Sequence, residues 1–126
     1  MRRKMAVGAL LALAVAASAT AATGWRVVAT SSADSELYAM AHFNKTVKSA
    51  GKARVTVSAS GVARVDGTVG CVRKSDIAFE TRTFAFRLKA GTRPIPVPLK
   101  NAECSYGISA LLEDGGRVTL KLAVIR

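Results

Sequence analysis

Two cysteines, Cys71 and Cys104, stand in phase with the apolar residues around them. Successive side chains of an extended strand point to opposite faces, so counting by twos sorts a strand into its two sides. Ala63, Val65, Val69 and Cys71 fall on one face, with Arg64, Asp66 and Thr68 on the other. Cys104, Tyr106, Ile108, Ala110 and Leu112 share a face in the same way. Segments 67–71 and 102–106 therefore read as strands clamped by a disulfide, with both thiols pointing into one core and meeting across it. A closed loop of this length stabilises a fold by roughly 3–4 kcal/mol. Two buried free thiols are the plainer alternative. A metal or redox pair is disfavoured, because there is no C-x-x-C and His42 is the only histidine.

Residues 1–22 have the layout of a secretory signal peptide. Arg2, Arg3 and Lys4 precede an apolar run over residues 5–17, and small residues offer cleavage after Ala19 or Ala21. The run is short for a bilayer span, and no second such stretch follows, so no transmembrane span is expected in the mature chain. An uncleaved anchor is the alternative. Export places the protein outside the cell or at the cell wall, where a disulfide persists. Residues 23–126 are then a single domain, large enough for one core. The net charge of +11, less the three charges of Arg2, Arg3 and Lys4, leaves +8. Such an excess favours contact with anionic surfaces: envelope polymers, lipid headgroups or nucleic acid. Solubility alone is the bland reading.

Along the chain the pattern is of strands. Residues 25–30 are rich in β-formers and run into a Ser/Ala/Asp linker at 31–35. Residues 36–48 admit a helix or a strand. The next segment, 52–60, alternates cleanly, and a hairpin through Ser49-Ala50-Gly51 pairs Val47 with Ala53, Phe43 with Val57 and Ala41 with Ala59, which favours the strand. Lys45 opposite Val55 is the one residue out of character. Gly61 is expected to break the run, and Arg73-Lys-Ser-Asp76 to turn it. Ile77 and Phe79 are out of phase with Phe84, Phe86 and Leu88, which predicts a bulge or short turn near 81–83. Alternate prolines in Arg93-Pro-Ile-Pro-Val-Pro-Leu99 suit a protected edge strand or a polyproline II connector. A three-residue loop, Asp114-Gly-Gly116, joins a closing hairpin with Leu112 opposite Val118, Ala110 opposite Leu120 and Ile108 opposite Leu122.

Seven to nine short strands, no convincing helix and a core-crossing disulfide predict an all-β fold, a two-sheet antiparallel β-sandwich. At Gly61-Val-Ala-Arg-Val-Asp-Gly-Thr-Val-Gly-Cys71, with an export signal ahead and a second cysteine downstream, the chain resembles the small secreted immunoglobulin-like or fibronectin-like β-sandwich proteins of high-GC Gram-positive bacteria. It departs from a true immunoglobulin domain: Trp25 precedes both cysteines, and Tyr106 follows Cys104 instead of preceding it. The resemblance implies architecture and carries over no catalytic or binding residue.

Catalytic material is sparse. His42 has no evident partner, no nucleophile elbow occurs, and the carboxylates are scattered apart from Glu113-Asp114 at a turn. Asn44-Lys-Thr46 matches a glycosylation sequon, read as chance in a bacterial chain. No metal, phosphate-loop or cofactor motif is present, so no cofactor is expected and the protein reads as a non-enzyme. The basic residues Arg64, Arg73, Lys74, Arg82, Arg87, Lys89, Arg93 and Lys100 form a candidate contact surface. Nucleic acid is disfavoured, because the aromatics that would stack on bases, Phe79, Phe84, Phe86 and Tyr106, are in core phase. The leading expectation is a secreted interaction module for an anionic cell-envelope polymer or an extracellular protein. The alternative is a secreted proteinase inhibitor presenting Ala90-Gly-Thr-Arg-Pro94 as a loop.

Overall fold

Among the described residues the fold is made of six antiparallel strands: β1 (Arg26–Ser35), β2 (Ala39–Lys48), β3 (Lys52–Arg73), β4 (Ala78–Ile95), β5 (Glu103–Leu112) and β6 (Gly116–Ile125). The computed structural model describes residues 24–126, so the segment read as a signal peptide, 1–22, lies outside the described residues. No helix of the described residues is long and apolar enough to cross a membrane. There are fewer strands than expected because β3 and β4 are 22 and 18 residues long. Each does the work of two.

The path of β3 explains the architecture. Its first half, residues 52–59, pairs with β6, and its second half, residues 64–72, pairs with β5. On its other side β4 runs alongside both halves. Gly61 therefore does not end a strand. It sits in the register shift between Ser58 and Ala63, where β3 spends more residues than β4 does between Ala90 and Leu88. Surplus residues on one strand of a pair force a bend and extra twist, and a glycine eases both. The result is one bent sheet of order β1-β6-β3-β5-β2 with β4 beside β3. Its two ends approach each other, and the His42 N–H donates to Ser31 Oγ at 3.1 Å.

The core phases argued from alternation hold for most of the residues named, Phe79 being the exception. Val55, Val65, Val69, Tyr106, Ala110, Leu120 and Leu122 are all buried. Several partner assignments do not hold. Residues 31–35 are strand, not linker, and lie against the start of β6. β2 is a strand, yet it pairs with β5 (Val47 with Cys104, Phe43 with Ile108, Ala41 with Ala110) and makes no hairpin with β3. β5 and β6 are likewise not a hairpin; the turn at 113–115 carries the chain from β5 to a strand paired with β1 and β3. The physical reason is common to these cases. Alternation says which side chains face inward, and any partner of matching phase then satisfies it.

Neither a bulge nor a turn occurs near 81–83. β4 pairs continuously with β3 from Ala78 to Leu88, which leaves Ile77 and Phe79 outside, 77% and 70% exposed. The proline run divides: residues 93–95 end β4, an edge strand, while Val97 and Leu99 pack on the core from an irregular connector.

Cys71 and Cys104 are bonded. They are direct neighbours in the β3–β5 pairing, with Cα atoms 4.0 Å apart, so the bridge does not cross the core between layers as expected. It staples two adjacent strands within the sheet. Two residues directly opposed in an antiparallel pair already lie at about this separation, and the sulfur link adds little displacement.

Tyr106 is fully buried and its hydroxyl has no hydrogen-bond partner among the described residues. Burial pushes its phenol above the ordinary value, so it stays neutral. An unpaired buried hydroxyl carries a desolvation cost of about 1–3 kcal/mol. Tyr106→Phe should therefore leave stability unchanged or raise it by about 1 kcal/mol in urea unfolding. A loss above about 1 kcal/mol would mean the hydroxyl has a partner.

Candidate functional site

The bend in β3 brings many chain ends to one pole of the molecule. The start of β1, the β2–β3 turn, the β3–β4 turn, the connector 96–102 and the end of β6 all lie there. Backbone bonds tie them together: the Ser49 N–H donates to Ala102 O at 2.9 Å, and the Gly51 N–H donates to Ile125 O at 2.8 Å. Strand ends are where water reaches the backbone, so charged residues belong there. This chain places a cation at or next to five of them, at Arg26, Lys48, Lys52, Arg73 and Arg126.

Three adjoining hollows mark the pole. One of about 300 Å³ is lined by Arg26, Lys48, Val124 and Arg126. A second, about 570 Å³, lies among Lys48, Lys52, Lys100 and Arg126. A third, about 270 Å³, lies among Lys48, Arg73, Lys74 and Glu103. Beside them Arg54 stands over the Trp25 ring, its guanidinium carbon 4.0 Å from the ring centroid. The ion pairs among the described residues are Arg64–Glu113, Arg73–Asp76 and Arg117–Asp34. Lys48, Lys52, Lys74 and Lys100 belong to none of these. Glu103, directly opposite Lys48, brings one carboxylate into the group.

Arg73 is the structural member of the group. Its guanidinium donates to both carboxylate oxygens of Asp76, at 2.9 and 3.0 Å, and to Lys100 O at 2.7 Å. The hydrogen bond from Arg73 holds the Asp76 carboxyl below the ordinary carboxylate value, with its charge adding to the effect. A depressed folded-state value stabilises the fold above the unfolded one and is lost as pH falls through it. The clamp on the turn is therefore intact at neutral pH.

The eight basic residues singled out from the sequence do not form one surface. Arg73, Lys74 and Lys100 lie at the pole. Arg64 and Arg87 oppose each other at the far end of the β3–β5 pairing, with Arg64 3.5 Å from Glu113. Lys89 lies beside the bend. Arg82 and Arg93 are on β4, and Arg93 stands over the Phe86 ring at 5.2 Å. Arg26, Lys48, Lys52 and Arg126 were missed. They are far apart in sequence, and their one shared signal is that each stands at or next to a strand boundary.

His42 lies opposite Ser109 and not beside Ser58 as the expected hairpin implied. Ser109 in turn opposes Asp66, so one row across the sheet reads His42, Ser109, Asp66. The hydroxyl stands between the other two, whereas a relay needs the imidazole in the middle. No hydrogen bond joins the three among the described residues. No group of three or more metal-ligating side chains occurs there either. Ala90-Gly-Thr-Arg-Pro94 is not a loop: it is paired strand, with Ala90 opposite Ser58 and Pro94 opposite Arg54. A proteinase-inhibitory loop at this position is thereby removed. Phe79 is exposed, which corrects its assignment to the core.

No protein-family model matches the sequence, and neither does any curated protein. Solved structures of similar chain path include a carbohydrate-binding module of the β-sandwich superfamily, at TM-score 0.43 and 11% identity, covering 81% of this chain and 56% of that one. A module solved with β-1,4-galactotriose has TM-score 0.43 and 12% identity, with 82% and 92% covered. The carbohydrate-binding and catalytic modules of a Clostridium thermocellum xylanase, complexed with xylohexaose, have TM-score 0.40 and 11% identity, with 82% and 26% covered. The chain thus spans a little over half of the first of these.

Proposed function

We propose that this chain is an exported, non-enzymatic interaction module that docks on anionic cell-envelope surfaces through the pole formed by Lys48, Lys52, Lys74, Lys100 and Arg126. The observation that carries the reading is the gathering of these cations by strand ends distant in sequence, where they outnumber the carboxylates Asp76 and Glu103 that accompany them. A focused patch attracts a polyanion far more strongly than the same charges scattered. The layout of residues 1–22 and the formed disulfide support an extracellular or cell-wall setting. We read the bent sheet as a variant of the two-layer sandwich and the chain as one of the small secreted proteins of high-GC Gram-positive bacteria.

The test is binding to inorganic polyphosphate, a soluble stand-in for an anionic envelope polymer, by the protein recovered after export. Each cation near an anionic surface contributes about 1 kcal/mol. Replacing Lys48, Lys74 and Lys100 together by glutamine should therefore weaken binding at low salt by about a hundredfold. The salt dependence should flatten while the melting temperature stays put. An unchanged affinity, or binding indifferent to salt, overturns the proposal. Replacing Arg64, Arg87 and Lys89 serves as the control and should matter much less.

A further inference from the structure

The turn between β3 and β4 carries a feature that charge alone does not explain. Val72 and Phe79 are direct cross-strand neighbours on the outer face, and Ile77 adjoins them in the turn. They are 37%, 70% and 77% exposed. Cross-strand apolar pairs ordinarily lie under a second layer, and a patch of this kind in water marks a contact surface. Ile77 also has φ +53°, the left-handed region that a β-branched residue rarely occupies. The strain is held in place by the Arg73–Asp76 clamp and by the bond from Arg73 to Lys100 O. A glycine or asparagine at position 77 would fit this backbone more easily. The chain instead places a large apolar side chain there and aims it at solvent.

The surroundings identify the occupant. Lys74 lies in the same turn, Lys48 ends the row that runs through Glu103 and Val72 to Phe79, and Lys100 is tied to Arg73. A hydrated polyanion offers apolar side chains nothing. The boundary of an anionic bilayer offers both partners at once, acyl chains for Ile77 and Phe79 and headgroup phosphates for the lysines behind them. We propose that the β3–β4 turn is a membrane-insertion tip that docks the basic pole on an anionic lipid surface. The proposal rests on the reading of that pole as the docking site and specifies what it docks on.

The experiment is co-sedimentation of the exported protein with vesicles of equal parts phosphatidylglycerol and phosphatidylcholine, with pure phosphatidylcholine vesicles and polyphosphate as separate arms. Burying one such side chain is worth enough to shift partitioning roughly tenfold or more. Ile77→Gly and Phe79→Ser should each cut binding to the anionic vesicles by about that factor and leave polyphosphate binding unchanged. Ile77→Gly relieves the strained backbone, so its melting temperature should hold or rise, which separates lost insertion from lost folding. Phe79→Trp should show a blue-shifted emission on anionic vesicles. If both variants bind these vesicles as well as the parent does, or the Phe79→Trp emission does not shift, insertion is wrong while the basic pole stands. If the parent binds neither vesicles nor polyphosphate at low salt, the reading of the pole fails first.

Discussion

Replacing Cys71 and Cys104 together by alanine should lower the free energy of unfolding by about 3–4 kcal/mol. The bridge closes a loop with a sequence separation of 33, which includes all of β4 and the connector to β5. In the folded state it joins residues that strand pairing has already placed side by side, so its loss removes little native contact. Its effect lies in the unfolded chain, where it forbids the ends of this loop from separating. Two readouts follow. The urea midpoint should fall, and the slope of stability against urea should rise because the unlinked chain exposes more surface on unfolding. The melting temperature should drop by roughly 15 °C or more. A loss below about 1 kcal/mol would mean that the linked and unlinked unfolded chains are equally compact.

Gly67→Val should be the most damaging single substitution in the outer half of β3, at about 3 kcal/mol or more. Gly67 lies opposite Phe84 on one side and Ile108 on the other. A Cβ there would stand 2.7 Å from the Gly107 carbonyl oxygen, 2.8 Å from Phe84 Cζ and 3.1 Å from Ile108 Cγ1. One of these contacts is backbone, so a rotamer change cannot relieve it. Either β3 and β5 part or the Phe84 ring leaves its place over the glycine. Gly67→Ala should cost about half as much, and adding Phe84→Leu should recover part of that loss if the ring is the obstacle. Gly70 is the control. Its added Cβ would meet nothing closer than Thr81 Oγ1 at 3.7 Å, so Gly70→Ala should change stability by no more than about 0.5 kcal/mol. Urea denaturation of the four variants decides the matter, and a neutral Gly67→Ala would overturn this account.

The candidate site was only partly legible. Arg73, Lys74 and Lys100 could be named from the sequence because they lie in a segment visibly rich in cations. Lys48, Lys52 and Arg126 could not, since nothing local distinguishes a lysine at a strand end that meets other strand ends from one that faces water alone. Phe79 was misplaced for a related reason. Its break in alternation was read as a bulge that would return it to the core, whereas β4 continues in register and leaves it outside.

The sequence by itself determined the class of secondary structure, the inward face of nearly every strand and the bonding of Cys71 to Cys104, because a two-residue period and a pair of in-phase thiols are local properties. Only the tertiary structure decided which strands pair. Ala41 meets Ala110 where Ala59 was expected, and Leu120 meets Val57 where Ala110 was expected. Each exchange keeps the same side chains buried, so hydrophobic patterning cannot choose between them. The choice falls to the bend at Ser58–Ala63, which lets one long strand serve two sets of neighbours and, in doing so, draws the lysines to a single pole.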